Sequence, residues 1–159
     1  SSSTPTPGVT YSTSAQTSGG NLASVEFNTT GTKMYILDRA TTTIYQYTLS
    51  TPWVISSGVT YDNASFGVGT QSADPISITL KPDGTQLLVA DFTSNTIYQY
   101  DLGTAFDISS AAFNSNLFNT GTQPTSLQTT FVKPDGTKLY AGGDTTGGSS
   151  TDTIFQYSI

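Results

Sequence analysis

The tetrapeptide Ile44-Tyr45-Gln46-Tyr47 returns as Ile97-Tyr98-Gln99-Tyr100 and again as Ile154-Phe155-Gln156-Tyr157. A second string keeps step with it: Gly31-Thr32-Lys33-Met34-Tyr35, then Gly84-Thr85-Gln86-Leu87-Leu88, then Gly136-Thr137-Lys138-Leu139-Tyr140. Recurrence at a period of some 50 residues means one supersecondary unit built several times, each copy burying its apolar side against the next. The third copy is longer only around Gly142-Gly143 and 145–151. Insertions confined to loops are what a repeated fold tolerates.

Within a copy the pattern is strand, tight turn, strand, loop, strand, loop, strand. Ile76-Ser77-Ile78-Thr79-Leu80 alternates with period two, as a half-buried strand does, and Lys81-Pro82-Asp83-Gly84 follows it. Pro presets φ for a type I turn, Asp bonds back to the backbone and Gly takes the left-handed position. Lys133-Pro134-Asp135-Gly136 repeats the device and Asn28-Thr29-Thr30-Gly31 is a weaker version. Second strands follow at 87–90, third strands at 97–100 and a fourth near Ala112-Phe113; no segment has a helical period with caps. The expected fold is all-β: three four-stranded antiparallel blades of propeller type, completed by strand exchange with other chains or by blades outside this segment, the repeats spanning about 8–57, 58–110 and 111–159 after a Ser/Thr/Pro linker at 1–7.

The run Lys-Pro-Asp-Gly-Thr-x-Leu, a β-rich segment, Asp, and then Ile-Tyr-Gln-Tyr-Asp-Leu resembles the YVTN and NHL-like propeller repeats of bacterial and viral surface proteins, over nearly all of the chain after residue 8. That family spans adhesins, sheath proteins, fibres and some lactonase-like enzymes, so the resemblance implies a fold more sharply than a function.

The boundaries of the copies suggest how they are used. Gly8-Val9-Thr10-Tyr11 matches Gly58-Val59-Thr60-Tyr61, so the sequence opens on a fourth strand and closes on a third. The last blade then lacks its outer strand unless Val9, Thr10 and Tyr11 supply it, and three blades are fewer than the four to eight that close a ring. The expectation is that these residues pass to the edge Ile154, Phe155, Gln156 and Tyr157 of another copy, giving a homo-oligomer or filament.

Composition narrows the chemistry. Only 10% of residues are charged, against roughly 25% in ordinary soluble domains, and 11 acidic against 5 basic side chains give a net charge of −6. Nucleic acid and anionic membrane surfaces would repel it. Cysteine and histidine are absent, which removes thiolate nucleophiles, imidazole bases and the usual zinc ligand sets. No cofactor or metal is expected. The Thr/Ser/Asn-rich, Lys-poor composition leans to an extracellular, cell-surface or virion-surface location. The opening Ser1-Ser2-Ser3, without Met or an apolar run, reads as a processed or excised piece, with no membrane insertion.

Four sets of residues are candidate sites. Asp38, Asp91 and Asp144 follow the second strands at matching places, on the side of the long loops 62–74 and 114–123. Such a ring of carboxylates suits calcium or a sugar, while the plainer alternative is that each Asp caps its own loop. Trp53 and Phe106 are equivalent and precede the fourth strand, as sugar-stacking platforms or as plugs buried between blades. The paired third-strand aromatics, Tyr45 with Tyr47, Tyr98 with Tyr100 and Phe155 with Tyr157, read as packing between blades. Asn28 and Asn63 head N-x-Ser/Thr glycosylation triplets, both placed where a glycan could be attached. Catalytic residues are not found: on the inner strands Glu26 is the one carboxylate, whereas glycoside hydrolysis needs two. The leading expectation is a non-enzymatic structural subunit of an extracellular fibre, filament or surface layer; the alternative is a carbohydrate-binding, lectin-like module.

Overall fold

The computed structural model describes residues 8–17, 20–120, 123–145 and 151–159; the expected linker at 1–7 lies outside them. Among these residues eleven strands form three antiparallel sheets. The first contains β1 (Leu22–Phe27), β2 (Lys33–Asp38), β3 (Thr43–Leu49) and β4 (Val59–Gly67), hydrogen-bonded in chain order. The second repeats that order with β5 (Pro75–Leu80), β6 (Gln86–Asp91), β7 (Thr96–Leu102) and β8 (Ala111–Asn119). The third has β9 (Ser126–Val132), β10 (Lys138–Thr145) and β11 (Thr151–Ser158), with β11 at its edge. The one helical piece among the described residues is a 3-10 turn, Ile108–Ser110, capped by the Asp107 side chain accepting from Ser109 N. Strands 59–67 and 111–119 run further than the sequence suggests, so much of each expected long loop is strand.

The sheets stack as blades around their first strands, with β1 beside β5 and β5 beside β9. One repeated contact stitches these inner strands: Ser24 Oγ accepts from Ile78 N at 3.3 Å, and Ser77 Oγ accepts from Thr130 N at 3.4 Å. Apolar alternation then fills the gaps. Tyr35, Leu37 and Ile44 of the first blade meet Leu87, Val89 and Tyr100 of the second. Leu88, Ala90 and Ile97 from the opposite face of the second blade meet Leu139, Ala141 and Val132 of the third. Each fully buried aliphatic side chain contributes roughly 1.5–3 kcal/mol, so the blade-to-blade gaps, rather than any central core, hold the array together.

Turn chemistry sets the hairpins. Gly31, Gly84 and Gly136 have φ of 69°, 72° and 74° at the first hairpin of each blade, the left-handed region that glycine occupies without strain. Asp83 and Asp135 side chains accept from the amides of Thr85 and Thr137 at 2.9 and 3.1 Å, forming the expected Asx turns. In the weaker version Asn28 does the same work, its Oδ1 accepting from Thr32 N and Lys33 N and its Nδ2 donating to Thr32 Oγ1. That use buries Asn28 to 6% exposure, contrary to the accessible glycosylation site expected from sequence. Asn63 is exposed, at the bulge of β4 with φ 56°.

Candidate functional site

One clamp joins each of the outer strands β4 and β8 to the following blade, and a third copy of it joins residues 11–16 to the first blade. Phe66, near the end of β4, meets Tyr100 edge-on at 5.3 Å, and five residues later Gln71 Oε1 accepts from the Tyr100 hydroxyl at 3.3 Å. Phe118, near the end of β8, meets Tyr157 at 4.5 Å, and the Gln123 carbonyl accepts from the Tyr157 hydroxyl at 2.9 Å. Tyr11 meets Tyr47 edge-on at 5.8 Å, and Gln16 Oε1 accepts from the Tyr47 hydroxyl at 3.1 Å. The backbone agrees: Gln16 N and Thr17 N donate to Thr13 O as Gln71 N and Ser72 N donate to Val68 O, and Gln123 N donates to Thr120 O. Residues 11–17 therefore have the geometry of an outer strand's exit, with Tyr11 in the place of Phe66 and Phe118.

This corrects the sequence alignment, which set Tyr11 against Tyr61. Tyr61 pairs across to Tyr47 in mid-strand, whereas Phe66 pairs with Ile44. Val9, Thr10 and Tyr11 are not part of a strand in this chain, and Val9 is 60% exposed. At the other end of the array Ile154 is 78% exposed, although its counterparts Ile44 and Ile97 are fully buried. Both counterparts pair with the clamp aromatic of an outer strand, Phe66 and Phe118. Among the described residues β11 has no such neighbour. Phe155 and Tyr157 are half-buried and Gln156 is exposed.

The carboxylates after the second strands do not form one set. Asp38 and Asp91 pair across to Thr43 and Thr96, but Thr153 pairs with Gly143, so glycine fills the third place and Asp144 lies one residue beyond, opposite Asp152. The third copy has one more residue before its aspartate, eight from Gly136 to Asp144 against seven from Gly84 to Asp91, and its β10–β11 ladder continues to Thr145 where the other blades turn. Asp38 Oδ1 accepts from Ala40 N at 2.9 Å. Asp91, 2% exposed, accepts from Ser94 N, Ser72 Oγ and Asp74 N at 2.7, 2.7 and 2.9 Å. Burial works to raise the Asp91 pKa, yet these donors hold its carboxyl below the usual carboxylate range. Asp144 accepts from Gln128 Nε2 at 3.2 Å. No group of three acidic side chains close enough to share a cation occurs among the described residues.

Near the axis, where the inner strands end, a cleft of about 270 Å³ is lined by Glu26, Phe27, Trp53, Phe106 and Phe131, with Pro82 and Pro134. Desolvation, partly offset by the Leu80 backbone, pushes the Glu26 carboxyl up to about 7. Trp53 and Phe106 do occupy equivalent places: their amides donate to Gly31 O and Gly84 O at 2.9 and 3.0 Å, and their rings lie over those glycines. They differ in surroundings. Phe106 packs between the first two blades and its carbonyl accepts from the Tyr35 hydroxyl at 2.7 Å. Trp53 is 60% exposed beside Phe27, a platform rather than the buried plug.

Solved structures share this architecture. A Bacteroides uniformis protein provisionally assigned as a 6-phosphogluconolactonase aligns with TM-score 0.61 and 14% identity over 87% of this chain and 37% of its own. A luciferin-regenerating enzyme aligns with TM-score 0.54 and 15% identity, over 76% of this chain and 36% of its own. The β-propeller domain of Myceliophteria thermophila Cps50 (Swd1) aligns with TM-score 0.56 and 9% identity, over 77% and 35%. The fold is an arc of a β-propeller. The chain spans a little over a third of the length of each of these structures. No family model matches the sequence, and no curated protein matches it. In propeller terms the cleft of Glu26, Trp53 and Phe131 lies where the inner strands end, the clamps lie between blades, and β11 is a third strand, like β3 and β7, which in the other two blades are covered by a fourth.

Proposed function

We propose that the chain is a structural unit of an extracellular assembly, a fibre, filament or surface layer, whose work is to join copies through propeller edges. The observation that carries this reading is Ile154 on β11, 78% exposed among the described residues where its two counterparts are fully buried, an apolar position that a further strand would cover. An unpaired strand edge with an apolar residue is a template for another strand. The carboxylates support the same reading, since Asp38 and Asp91 are used in capping loops. The surface, rich in hydroxyl and amide side chains and poor in charge, suits close packing of copies, and Asn63 is open to glycosylation.

A second reading rests on Glu26. A carboxyl held near pH 7 at the axial mouth is a group with general acid–base capacity, and two of the solved structures above carry enzyme names. Against it, Glu26 is the one acidic side chain on the three inner strands. Trp53, exposed at the same mouth, belongs to the lectin alternative and would be tested by glycan binding.

Negative-stain imaging of the purified full chain, run beside hydrolysis assays on aliphatic and sugar lactones, separates these readings. Rings or filaments without turnover are expected. Monodisperse single arcs that hydrolyse a lactone, with turnover lost in Glu26→Gln, would replace the structural reading by the enzymatic one.

A further inference from the structure

We infer that Asn63 is an N-glycosylation site, that Asn28 is not, and that the first N-acetylglucosamine on Asn63 lies in the cleft between the first two blades. The inference rests on the extracellular placement in the reading above and adds the modified residue and the seat of its sugar. Both asparagines head N-x-Ser/Thr triplets, Asn28-Thr29-Thr30 and Asn63-Ala64-Ser65, the two such triplets in the chain. Their amides are in opposite states. Asn28 is buried, its Oδ1 accepts from Thr32 N and Lys33 N, and its Nδ2 donates to Thr32 Oγ1. A sugar added to that nitrogen before folding would keep the first hairpin from closing. Asn63 and Ser65 are both exposed, and the Asn63 side chain makes no hydrogen bond to another described residue.

The bulge of β4 makes the difference. Gln46 pairs with Ala64 and Tyr47 with Tyr61, so Asp62 and Asn63 are the residues by which β4 exceeds β3. Asn63 takes φ 56°, a left-handed conformation that asparagine tolerates better than most residues, and a bulge re-aims the side chain it carries. β4 is the outer strand of its sheet, so a glycan there displaces no ladder partner within the chain. Asn63 borders a cleft of about 520 Å³ that Ala105, Phe106, Asp107 and Ser109 of the second blade also line, enough for a single sugar ring. Phe106 offers apolar surface to one face of that ring. Lys33 Nζ, bound to Thr48 and Asp62, keeps a third N–H for the acetamide or a hydroxyl, and Asp107, whose Oδ1 caps the 3-10 turn, keeps Oδ2. The corresponding bulge of β8 has Ser115 at φ 65°, followed by Asn116 and Leu117, so it carries no acceptor triplet. The transfer joins Asn63 Nδ2 to the anomeric carbon of a lipid-pyrophosphate-linked oligosaccharide. An N–C bond forms, the C–O bond to pyrophosphate breaks, and the amide proton passes to a base of the transferase.

The test secretes the full chain from a eukaryotic host whose glycans are held in the high-mannose form and maps the glycopeptides by mass. A glycan on Asn63 and none on Asn28 of the folded protein is expected. Ser65→Ala, and separately Asn63→Gln, should remove the mass increment, and Thr30→Ala should leave it in place. An unmodified Asn63 in secreted protein, or a glycan on Asn28 of folded protein, overturns the assignment. Trimming the glycan enzymatically to one N-acetylglucosamine then reads the seat. Nuclear Overhauser contacts from its acetamide methyl or ring protons to Ala105 or Phe106 are expected, and a sugar without such contacts overturns the placement in the cleft. Imaging the same material keeps the two readings apart: monomers with Asn63 glycosylated contradict the structural reading and leave this one, whereas rings or filaments with Asn63 bare do the reverse.

Discussion

Gly84 and Gly136 occupy the same turn with nearly the same φ, 72° and 74°, yet a methyl group at the two positions would meet different surroundings. At Gly84 it would stand 2.5 Å from Phe106 Cδ2, whereas at Gly136 the nearest atom is Pro82 Cδ at 3.9 Å. Both alanine variants incur the left-handed backbone cost of roughly 1 kcal/mol. Gly84→Ala must in addition displace a ring packed between two blades, so its loss should be larger by a further ~1–3 kcal/mol, measured by urea unfolding. Glu26 gives a second residue-scale expectation. Its folded pKa of about 7 lies above the ordinary value of 4.5, so the folded state binds the proton more tightly than the unfolded one. The associated stability is fully present below pH 4.5 and is lost as pH rises through 7. Glu26 is part-exposed, so solvent screening reduces the effect to about 1–2 kcal/mol. Glu26→Gln should abolish that slope and be the more stable protein at pH 8, as read from melting temperatures across pH 4–9.

Among the elements, the loops after the second strands test whether the carboxylates serve structure. Asp91→Ala strands the amides of Asp74 and Ser94 and the Ser72 hydroxyl in a buried site, which should cost about 3 kcal/mol. Asp144→Ala, losing one bond at 3.2 Å, should cost under about 1 kcal/mol. A strong chelator should leave the wild-type melting temperature within a few degrees, and a large drop restored by calcium would contradict the capping role. At this scale the sequence was most readable. The three first hairpins follow from Pro-Asp-Gly and Asn-Thr-Thr-Gly, and the buried pair Tyr47 and Tyr100 follows from period two on the third strands. What escaped depends on facts that local pattern does not carry. Asp144 looks equivalent to Asp91 until the cross-strand register, with one more residue between Gly136 and Asp144, puts Gly143 in its place. Gly8-Val9-Thr10-Tyr11 copies Gly58-Val59-Thr60-Tyr61 in letters, while the spacing from Tyr11 to Gln16, which repeats that from Phe66 to Gln71 and Phe118 to Gln123, was the signal for the true match. Asn28 was misplaced and Trp53 left open between platform and plug for a related reason, because burial in a turn or exposure over a glycine depends on what the neighbouring strand leaves open.

At the scale of the whole molecule, three blades are held to one another by apolar gaps, inner-strand serine contacts and repeated clamps, with no buried apolar cluster among the described residues that all three share. Stability in such an array is close to a sum of blade and interface terms, so the outermost blade that lacks a partner strand is its weakest part. Hydrogen exchange at β11 should accordingly be faster than at β7, which is paired on both sides. Joining copies would cover that edge and bury Ile154, linking the folding of the third blade to assembly. The measurement that tests this most directly is light-scattering molar mass of the full chain at tens of micromolar, taken together with exchange at β11 across a dilution series. The account predicts a mass of two or more chains and β11 amides that become protected as concentration rises; a single-chain mass throughout, with β11 protection independent of concentration, would contradict it.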